Sequence, residues 1–286
     1  MQRSQTARMR VALISDSHLS QRAPECVGNW RAAASAVSAM GPDLSVHLGD
    51  ITLDGQSRPE ELLFAAELLH HWPTPMRWVV GNHDMGTGCG EEPIAPDTYA
   101  MCLTAFGPDH WTCDADGWTL IGVNAQLFGT ASAQEAAQRD WLCDVARELN
   151  PNAQVVLLSH RPVLRPVHDL SMPTGRYVQP DWARWLTHGP LQRRLRVVAS
   201  GHTHQSLSFV TDGVQHIWVP SSSFVISDAL QKPVGAKLVA LGWLELSAGR
   251  SDYCLVMPPG ARAHELTGMG FYRDSIPHGN RDVFAR

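Results

Sequence analysis

The sequence predicts an α/β fold, and two observations support this prediction. Short apolar segments alternate with amphipathic segments of helical length through the first half of the 286-residue chain. This β-α-β-α-β order is typical of a parallel sheet with helices packed against it. In addition, polar residues directly follow several of the apolar segments, and functional groups in open α/β sheets collect at the carboxyl ends of strands.

The individual elements follow from apolar periodicity and from residues that start or stop helices. Residues 10–15 form a buried apolar run, and residues 29–40 have helical periodicity, with Asn29 suited to cap the helix and Gly41-Pro42 suited to end it. Pro59 and two glutamates open a second helix over residues 59–72. By the same criteria we predict a helix over 133–149 and strands over 44–48, 77–80, 118–123, 155–159, 195–199, 214–219 and 236–246.

Three stretches resist assignment to helices or strands. Residues 85–118 are rich in Gly, Pro and Asp, and residues 161–181 predict a long loop with four prolines. Residues 247–286 are rich in Gly, Pro and Arg. We therefore predict one main domain over residues 1–246, which carries any catalytic site. Residues 247–286 are predicted to be a C-terminal extension that serves as a tail, a lid or a contact in a homo-oligomer.

Composition argues against several classes of protein. The formal net charge is −5, with 23 Lys and Arg against 28 Asp and Glu, so an extended basic surface for long nucleic acids is not expected. No apolar run approaches the roughly 18 residues of a membrane span. Only four apolar residues follow the basic start MQRSQTARMR, which argues against a secretory signal. The six cysteines form no CxxC pair, which favours reduced thiols in a cytoplasmic protein.

Carboxylate, amide and imidazole side chains follow five of the predicted strands. In chain order these residues are Asp16, His18, Asp50, Asn82, His160, His202 and His204. Residues two apart in extended chain project to the same side, so Asp16 with His18, and His202 with His204, are expected to face one pocket. Glycines that permit close backbone approach precede three of the clusters, at positions Gly49, Gly81 and Gly201.

Seven such side chains exceed what one tetrahedral zinc ion needs. They suit two divalent ions about 3.5–4 Å apart that share a bridging carboxylate. Imidazole and carboxylate ligands without thiolates favour Mn, Fe, Zn or Co. Taken singly, Asp16, Asp50 and Asn82 could be turn residues and His160 a buried core imidazole. The joint pattern at five strand ends is what favours a metal site.

The same residues resemble a known family. DSH at 16–18, GD at 49–50, GNHD at 81–84, His160 and GHTH at 201–204 are similar, in order and spacing, to the five signature blocks of the metallophosphoesterase, or calcineurin-like phosphoesterase, superfamily. The resemblance covers about residues 10–246 and implies a four-layer αββα sandwich of two mixed sheets flanked by helices. The segments PDLSVHLGDI and QRDWL resemble the branch of class III cyclic-nucleotide phosphodiesterases, which includes glycerophosphodiesterase-like enzymes.

The resemblance also implies a role for each residue of these blocks. Asp16, His18 and His204 would hold one ion, Asn82, His160 and His202 would hold the other, and Asp50 would bridge them. His83 would face the phosphate and stabilise developing charge or protonate the leaving oxygen. The alternative for His83 is that it only orients a ligand. Asp84 is expected to support the ligands, and His47 to be a buried neutral imidazole.

These roles predict a metal-dependent hydrolase that uses a hydroxide between the two ions as nucleophile. The expected substrate is a small-molecule phosphodiester of the cyclic-nucleotide or glycerophosphodiester type. A phosphomonoesterase or protein phosphatase with the same metal clamp, and a catalytically silent scaffold of this fold, are the alternatives. In loop 161–181, His168 and Tyr177 are predicted substrate contacts, and a solvated surface loop is the alternative.

Overall fold

The structure, a computed structural model, describes residues 8–87, 94–115, 117–169 and 175–275. Its strands are β1 (Met9–Ile14), β2 (Leu44–His47), β3 (Met76–Trp78), β4 (Trp111–Ala115), β5 (Trp118–Gly122), β6 (Gln154–Ser159), β7 (Leu195–Ser200), β8 (Leu207–Thr211), β9 (Val214–Trp218), β10 (Phe224–Val225), β11 (Leu241–Ser247), β12 (Arg250–Val256) and β13 (His264–Glu265). Its helices are α1 (Pro24–Met40), α2 (Pro59–His70), α3 (Asn82–Met85), α4 (Pro96–Phe106), α5 (Ala133–Glu148), α6 (Pro180–His188) and α7 (Gly270–Ser275), and a 3₁₀ turn spans Leu266–Gly268.

The strands form two large mixed sheets and one small pair. The first sheet has the order β12-β11-β1-β2-β3, in which β1, β2 and β3 are parallel. The second sheet has the order β4-β5-β6-β7-β9-β8, with four parallel strands between antiparallel edge strands. Strands β10 and β13 pair separately. The parallel strands of both sheets therefore deliver their following loops to one end of each sheet.

Alternating side chains of each strand divide the core into layers. Val11 and Leu13 of β1 pack between the two sheets, whereas Ala12 and Ile14 pack against α1 and α2. Strands β5, β6 and β7 likewise contribute to the inter-sheet core and to a second cluster under α5 and α6. Burial of both faces explains why these strands are continuous apolar runs in the sequence. The result is the predicted four-layer αββα sandwich, which the structure confirms.

Some element boundaries differ from the sequence prediction. Helix α1 begins at Pro24 rather than Asn29, so the prediction that Asn29 caps the helix was wrong. The unassigned stretch 85–118 contains α4 and β4. Only the end of the predicted strand 236–246 forms a strand, β11. Beyond it, β12 pairs with β11 as an edge strand. The division of function at residue 247 stays a prediction, and residues 276–286 lie outside the described residues.

Candidate metal centre

Seven candidate ligands from both sheets meet at the carboxyl ends of the parallel strands. Asp16 and His18 follow β1, Asp50 follows β2, and Asn82 follows β3. His160 follows β6, while His202 and His204 follow β7. The first sheet thus supplies all the oxygen donors and one imidazole, and the second sheet supplies the other three imidazoles. Each side chain lies one to four residues beyond the end of its strand, and the packing of one sheet on the other brings the two sets together.

One group of side chains contains Asp16, His18 and His204, all of them buried. Their potential ligand atoms lie within 4.8 Å of one another. His18 Nε2 lies 3.1 Å from His204 Nε2, and His204 Nε2 lies 3.4 Å from Asp16 Oδ1. This is the set that the family resemblance assigns to the first ion.

A second group contains Asp50, His160 and His202, also within 4.8 Å of one another. His160 Nε2 lies 3.2 Å from Asp50 Oδ1 and 3.1 Å from His202 Nδ1. Asn82 Oδ1 is 3.2 Å from the same nitrogen, so the amide lies beside this group. Asp50 Oδ2 also lies 4.0 Å from His18 Nε2, which places the carboxylate between the two groups.

The orientation of the imidazoles shows that these residues fit divalent cations. His160 Nδ1 donates to the Leu48 carbonyl at 2.8 Å, and His204 Nδ1 donates to the Phe224 carbonyl at 3.3 Å. In the neutral rings, Nε2 therefore carries a lone pair that points at other acceptors in the cluster. Asp16 Oδ1 is buried and has no hydrogen-bond partner. Acceptors that converge in this way are stabilised by a cation or a proton between them.

The electrostatics of the cluster favour positive charge beside Asp50. Burial lowers the pKa of His18 and of His202 well below the ordinary histidine value. Burial also opposes ionisation of Asp50, yet electrostatic interactions with His160 and His83 and the hydrogen bond with His160 outweigh it and hold the Asp50 pKa well below its usual range. Burial disfavours charge on His160, but the Asp50 carboxylate raises the His160 pKa to about 9. A metal ion or a proton can supply the charge that Asp50 stabilises.

The backbone of the candidate ligands has an uncommon conformation. Among the described non-glycine residues, seven have a positive φ, and five of these are predicted ligands, namely Asp16 (51°), His18 (45°), Asp50 (50°), His202 (67°) and His204 (52°). Such left-handed conformations are unfavourable for side chains with a Cβ and cluster at functional sites. The expectation that alternate residues converge through extended chain was therefore wrong. They converge because each lies in a left-handed turn beyond its strand.

The glycines in the signature blocks allow close packing of backbone against the ligands. A Cβ on Gly81 would lie 2.1 Å from Asp50 Oδ1, and a Cβ on Gly201 would lie 1.8 Å from Ser15 Oγ. Gly49 combines a φ of 92° with a Cβ position 2.6 Å from His160 Nδ1. The prediction that these glycines permit close approach is confirmed.

Asp84 and His47 lie beside the candidate ligands and bind the loops that carry them. Asp84 is buried, and its carboxylate accepts hydrogen bonds from the Gly81, Ile51 and Thr52 amides at 2.8, 3.2 and 2.8 Å. It thereby joins the loop after β3 to the loop after β2. His47 is buried in β2, where burial lowers its pKa to about 3 and its Nε2 lies 2.8 Å from Ser17 Oγ. His47 is thus the buried neutral imidazole that the sequence predicts.

His83 lies at the edge of the cluster and is oriented by the backbone. Its Nδ1 donates to the Leu53 carbonyl at 2.7 Å, which leaves Nε2 to face the cluster. The His83 ring meets the His18 ring edge-on at 4.8 Å, and the His83 amide donates to Asp50 Oδ1 at 2.9 Å. His18, Asp50 and His83 also form a third group with ligand atoms within 4.8 Å. The position suits contact with a substrate held at the cluster.

His168 and Tyr177, the two predicted substrate contacts, form their described contacts outside the metal cluster. His168 is exposed, and its Nε2 donates to the Val234 carbonyl at 3.3 Å. The Tyr177 hydroxyl donates to the Asp169 carboxylate, and the Tyr177 ring lies 5.9 Å from the Trp218 ring. Neither contact reaches the metal cluster, so the roles of His168 and Tyr177 stay predictions. Residues 170–174 of this loop lie outside the described residues.

The segment after β9 lies beside the candidate ligands and was not predicted from the sequence. Ser221, Ser222 and Ser223 are buried, and their hydroxyls bind backbone carbonyls of Ser15 and Asp16. Phe224 contacts His18 and His204 through its ring. A run of three serines directly after a buried apolar strand was the available signal, because buried hydroxyls require nearby polar partners.

Comparison with known proteins decides the family. The family model described as calcineurin-like phosphoesterase matches residues 9–206, which is more than half of the chain and includes all seven candidate ligands. The chain belongs to the calcineurin-like phosphoesterase family. This family uses divalent metals to hydrolyse phosphoesters, and the structure supplies the corresponding histidine and aspartate groups.

Individual relatives are distant. A protein of Psychrobacter sp. (strain PRwf-1), described as a probable cyclic nucleotide phosphodiesterase, is 24% identical over 201 residues, covering 64% of this chain and 52% of that protein. The chain thus matches about half the length of that relative. A dimetal phosphatase from Danio rerio has a TM-score of 0.56 at 14% identity, covering 87% of this chain and 99% of that one. The anchor in the inner membrane complex of Plasmodium has a TM-score of 0.61 at 14% identity, covering 90% and 87%.

These structural relatives share the fold of this chain, and at 14% identity they do not indicate which reaction it catalyses. Among the described residues, no helix has both the length and the apolar content required to cross a lipid bilayer. The five described cysteines, at positions Cys26, Cys102, Cys113, Cys143 and Cys254, form no disulfide with one another, and Cys89 lies outside the described residues. The cytoplasmic location stays a prediction.

Proposed function

We propose that this protein hydrolyses phosphodiester bonds of small molecules at a centre of two divalent metal ions. The observation that carries the proposal is the convergence of seven buried or partly buried donors into two groups that share the Asp50 carboxylate. In this proposal Asp16, His18 and His204 hold one ion, Asn82, His160 and His202 hold the other, and Asp50 bridges them. The name of the Psychrobacter relative supports a diester substrate.

When bound, two such ions would neutralise phosphoryl charge and activate water for in-line displacement. The chain itself orients the donors. The Leu48 and Phe224 carbonyls hold the rings of His160 and His204 with Nε2 toward the cluster. His83 is held by Leu53 so that its Nε2 can donate to the leaving oxygen of a bound ester. The carboxyl of Asp50 stays ionised because His160 and His83 lower its pKa.

The first test separates metal binding from catalysis. Asp50→Ala should remove the shared ligand, so both metal content and hydrolysis of bis-p-nitrophenyl phosphate should be lost. His83→Ala should keep two Mn²⁺ per chain and lower kcat by about 10²–10⁴-fold, the range typical of a general acid. Tyr177→Phe, which removes one hydroxyl in the loop outside the cluster, serves as the matched control for metal content. Full activity of the apoprotein in chelator would contradict the proposal.

The second test addresses the alternatives. The fold is shared with a protein described as a dimetal phosphatase, so phosphomonoesterase activity is one alternative. It is also shared with a protein described as an anchor, so a non-catalytic scaffold is the other alternative. We expect the Mn²⁺-loaded protein to hydrolyse the bis-ester and cyclic or glycerol diesters with higher kcat/KM than p-nitrophenyl phosphate. The reverse order would assign a monoesterase, and loaded protein that turns over neither class would assign a scaffold.

A further inference from the structure

The segment Ser221–Phe224 contacts every residue that we assign to the first ion. The three serines are buried and follow β9, and Phe224 begins β10. More than 180 residues of sequence separate this segment from Asp16 and His18, so only the tertiary structure reveals the contact. The sequence blocks that define the family end before this segment, since the family match ends at residue 206.

The serine hydroxyls bind the turn that carries Asp16. Ser221 Oγ and Ser223 Oγ donate to the Asp16 carbonyl at 2.9 and 2.6 Å. The Ser222 hydroxyl and amide donate to the Ser15 carbonyl at 3.0 and 2.8 Å. Ser221 Oγ in turn accepts from the Ser223 amide at 3.0 Å. Two consecutive carbonyls before and within the left-handed turn are thereby fixed by four hydrogen bonds from one segment.

Phe224 contacts the other two candidate ligands of the same ion. Its carbonyl accepts from His204 Nδ1 at 3.3 Å and so orients that ring. Its own ring lies 4.9 Å from the His18 ring and 4.8 Å from the His204 ring, measured between centroids. One short segment therefore holds the backbone of Asp16, the tautomer of His204 and the ring planes of both histidines.

The Asp16 turn needs such support. Its φ of 51° is unfavourable for aspartate and persists only where the surroundings impose it. Asp16 Oδ2 accepts from Ser15 Oγ and from the His202 amide, which leaves Oδ1 for a cation. If the backbone relaxed, Oδ1 would turn away from His18 and His204. Ligand geometry must hold within about 0.5 Å for tight metal binding.

Apart from the hydrogen bond from the His202 amide to Asp16 Oδ2, the second set of ligands is held by other groups. The Leu48 carbonyl orients His160, and the His83 amide donates to Asp50. Within the described part of the chain, the hydrogen bonds and ring contacts of Ser221–Phe224 reach Asp16, His18 and His204 but not Asn82, His160 or His202.

We propose that Ser221–Phe224 is a positioning segment that sets the affinity of the first ion and leaves the second ion nearly unchanged. The proposal rests on the proposed function, because both require two ions per chain. It predicts that a change in this segment weakens the first ion relative to the second.

The experiment is calorimetric titration of chelator-stripped protein with Mn²⁺. The unaltered chain should bind two ions. Ser221→Ala/Ser223→Ala should weaken one site by about 10–100-fold, since two buried hydrogen bonds to the turn are lost, and leave the other within about twofold. Ser45→Ala is the matched control, because Ser45 is a buried serine whose hydroxyl binds Thr74 at 2.7 Å, away from the cluster. Ser223→Thr, which retains a hydroxyl, should restore part of the lost affinity.

A second variant guards against a folding defect. Phe224→Leu leaves the carbonyl and the serines in place and removes the ring contacts with His18 and His204. It should weaken the same single site, and because Phe224 also packs in the core, the melting temperature in chelator should fall by only a few degrees, which leaves the variant folded for the titration. Equal weakening of both sites, or no weakening, in properly folded variants would overturn the positioning role alone. Failure of the unaltered chain to bind two Mn²⁺ would instead overturn the proposed function.

Discussion

At the residue scale, the candidate metal centre depends on glycines as well as on the ligands. Gly81 and Gly201 do not have the positive φ that usually explains a glycine in a turn. Glycine is required there because neighbouring side chains occupy the place of a Cβ: Asp50 does so at Gly81, and Ser15 with Asp16 does so at Gly201. The backbone of one loop therefore forms part of the wall that holds the next loop's carboxylate.

We predict that Gly81→Ala impairs metal binding more than folding. The added methyl would lie 2.1 Å from Asp50 Oδ1 and 2.3 Å from the Asp50 amide, so the shared carboxylate must move. Bound metal per chain, measured after dialysis by elemental analysis, should fall below one ion, with a stability loss of about 1–3 kcal/mol from overpacking.

A glycine in open space provides the control for that substitution. Gly28 is exposed in α1, and a Cβ there meets nothing within 4 Å. Gly28→Ala should raise the free energy of unfolding by about 0.5–1 kcal/mol and leave metal content unchanged. If Gly81→Ala also kept its full metal content, the close approach to Asp50 would have no functional consequence.

At the scale of single elements, α1 connects the helical layer to the segment that supports Asp16. The helix begins with Pro24 at its first turn, and Asn29 lies buried one and a half turns further on. The Asn29 amide donates to the Ser223 carbonyl at 2.7 Å and to the Arg262 carbonyl at 2.8 Å. Its Oδ1 accepts from the Arg262 amide at 2.9 Å. Asn29 thus fixes two loop segments to the helix.

We therefore predict that Asn29→Ala is destabilising. The substitution leaves the buried Ser223 carbonyl and the partly buried backbone groups of Arg262 without their Asn29 partner, which should cost about 2–4 kcal/mol of unfolding free energy in urea titrations. Asn152→Ala, at an exposed position, should change stability by less than about 0.5 kcal/mol and is the comparison. Equal stabilities of the two variants would rule out a structural role for the Asn29 contacts.

Element prediction succeeded where apolar patterning was complete and failed where it was not. Strands β1, β2, β6 and β7 are buried on both faces, so their apolar runs identify them in the sequence. Strand β12 was missed because it is an edge strand with exposed and partly exposed residues alternating along it. The start of α1 was misplaced because Asn29 has the chemistry of a cap, although its partners lie in distant segments. Those partners cannot be inferred from local sequence.

The candidate site shows the same division. The signature blocks contain all seven side chains that the structure brings together, because each follows a predicted strand and the blocks resemble a family. The serines at 221–223 were not predicted, since their partners are two carbonyls about 205 residues earlier in the chain. The left-handed backbone of five ligands was not predicted either, because sequence patterns assign such torsions mainly to glycine and asparagine.

At the scale of the whole molecule, the candidate centre connects the two sheets. Asp16, His18, Asp50 and Asn82 come from loops of the first sheet, and the three remaining histidines come from loops of the second. The apolar core between the sheets already holds the two halves of the sandwich together. Ions bound here would add a second connection, because each half supplies some of the ligands. Metal binding should therefore contribute to global stability as well as to chemistry.

We predict that chelation lowers the melting temperature. Two ions at free concentrations well above their dissociation constants would contribute about 4 kcal/mol or more, which corresponds to roughly 10 °C for a chain of this size. Differential scanning calorimetry with Mn²⁺ and with EDTA should show this difference in the unaltered chain. In Asp50→Ala the two traces should nearly coincide; a persisting shift would place the stabilising ions elsewhere.

A final prediction concerns acid stability and His216 of β9. Burial lowers the pKa of His216 to about 4, and its ring stacks on Phe209 at 5.1 Å. Below about pH 6.5 the unfolded chain binds a proton at this histidine that the folded chain does not bind until about pH 4. Stability from this group is therefore complete above pH 6.5 and falls as the pH decreases toward 4.

This loss of stability at acid pH can be measured by urea unfolding of His216→Phe and of the unaltered chain. EDTA is present so that metal release does not contribute. Between pH 7.5 and pH 5 the unaltered chain should lose about 2 kcal/mol more than the variant. Parallel losses would show that His216 titrates alike in the folded and unfolded chains.

The left-handed torsions at five candidate ligands have an evolutionary consequence. Each is a conformation that glycine would adopt at lower energy, so random substitution in a lineage that no longer needed the ions would tend to remove these residues. Such decay would begin with the most strained positions, because their replacement would improve folding. Folding stability alone would therefore favour other residues at these five positions, and a functional gain such as metal binding is what would offset the cost.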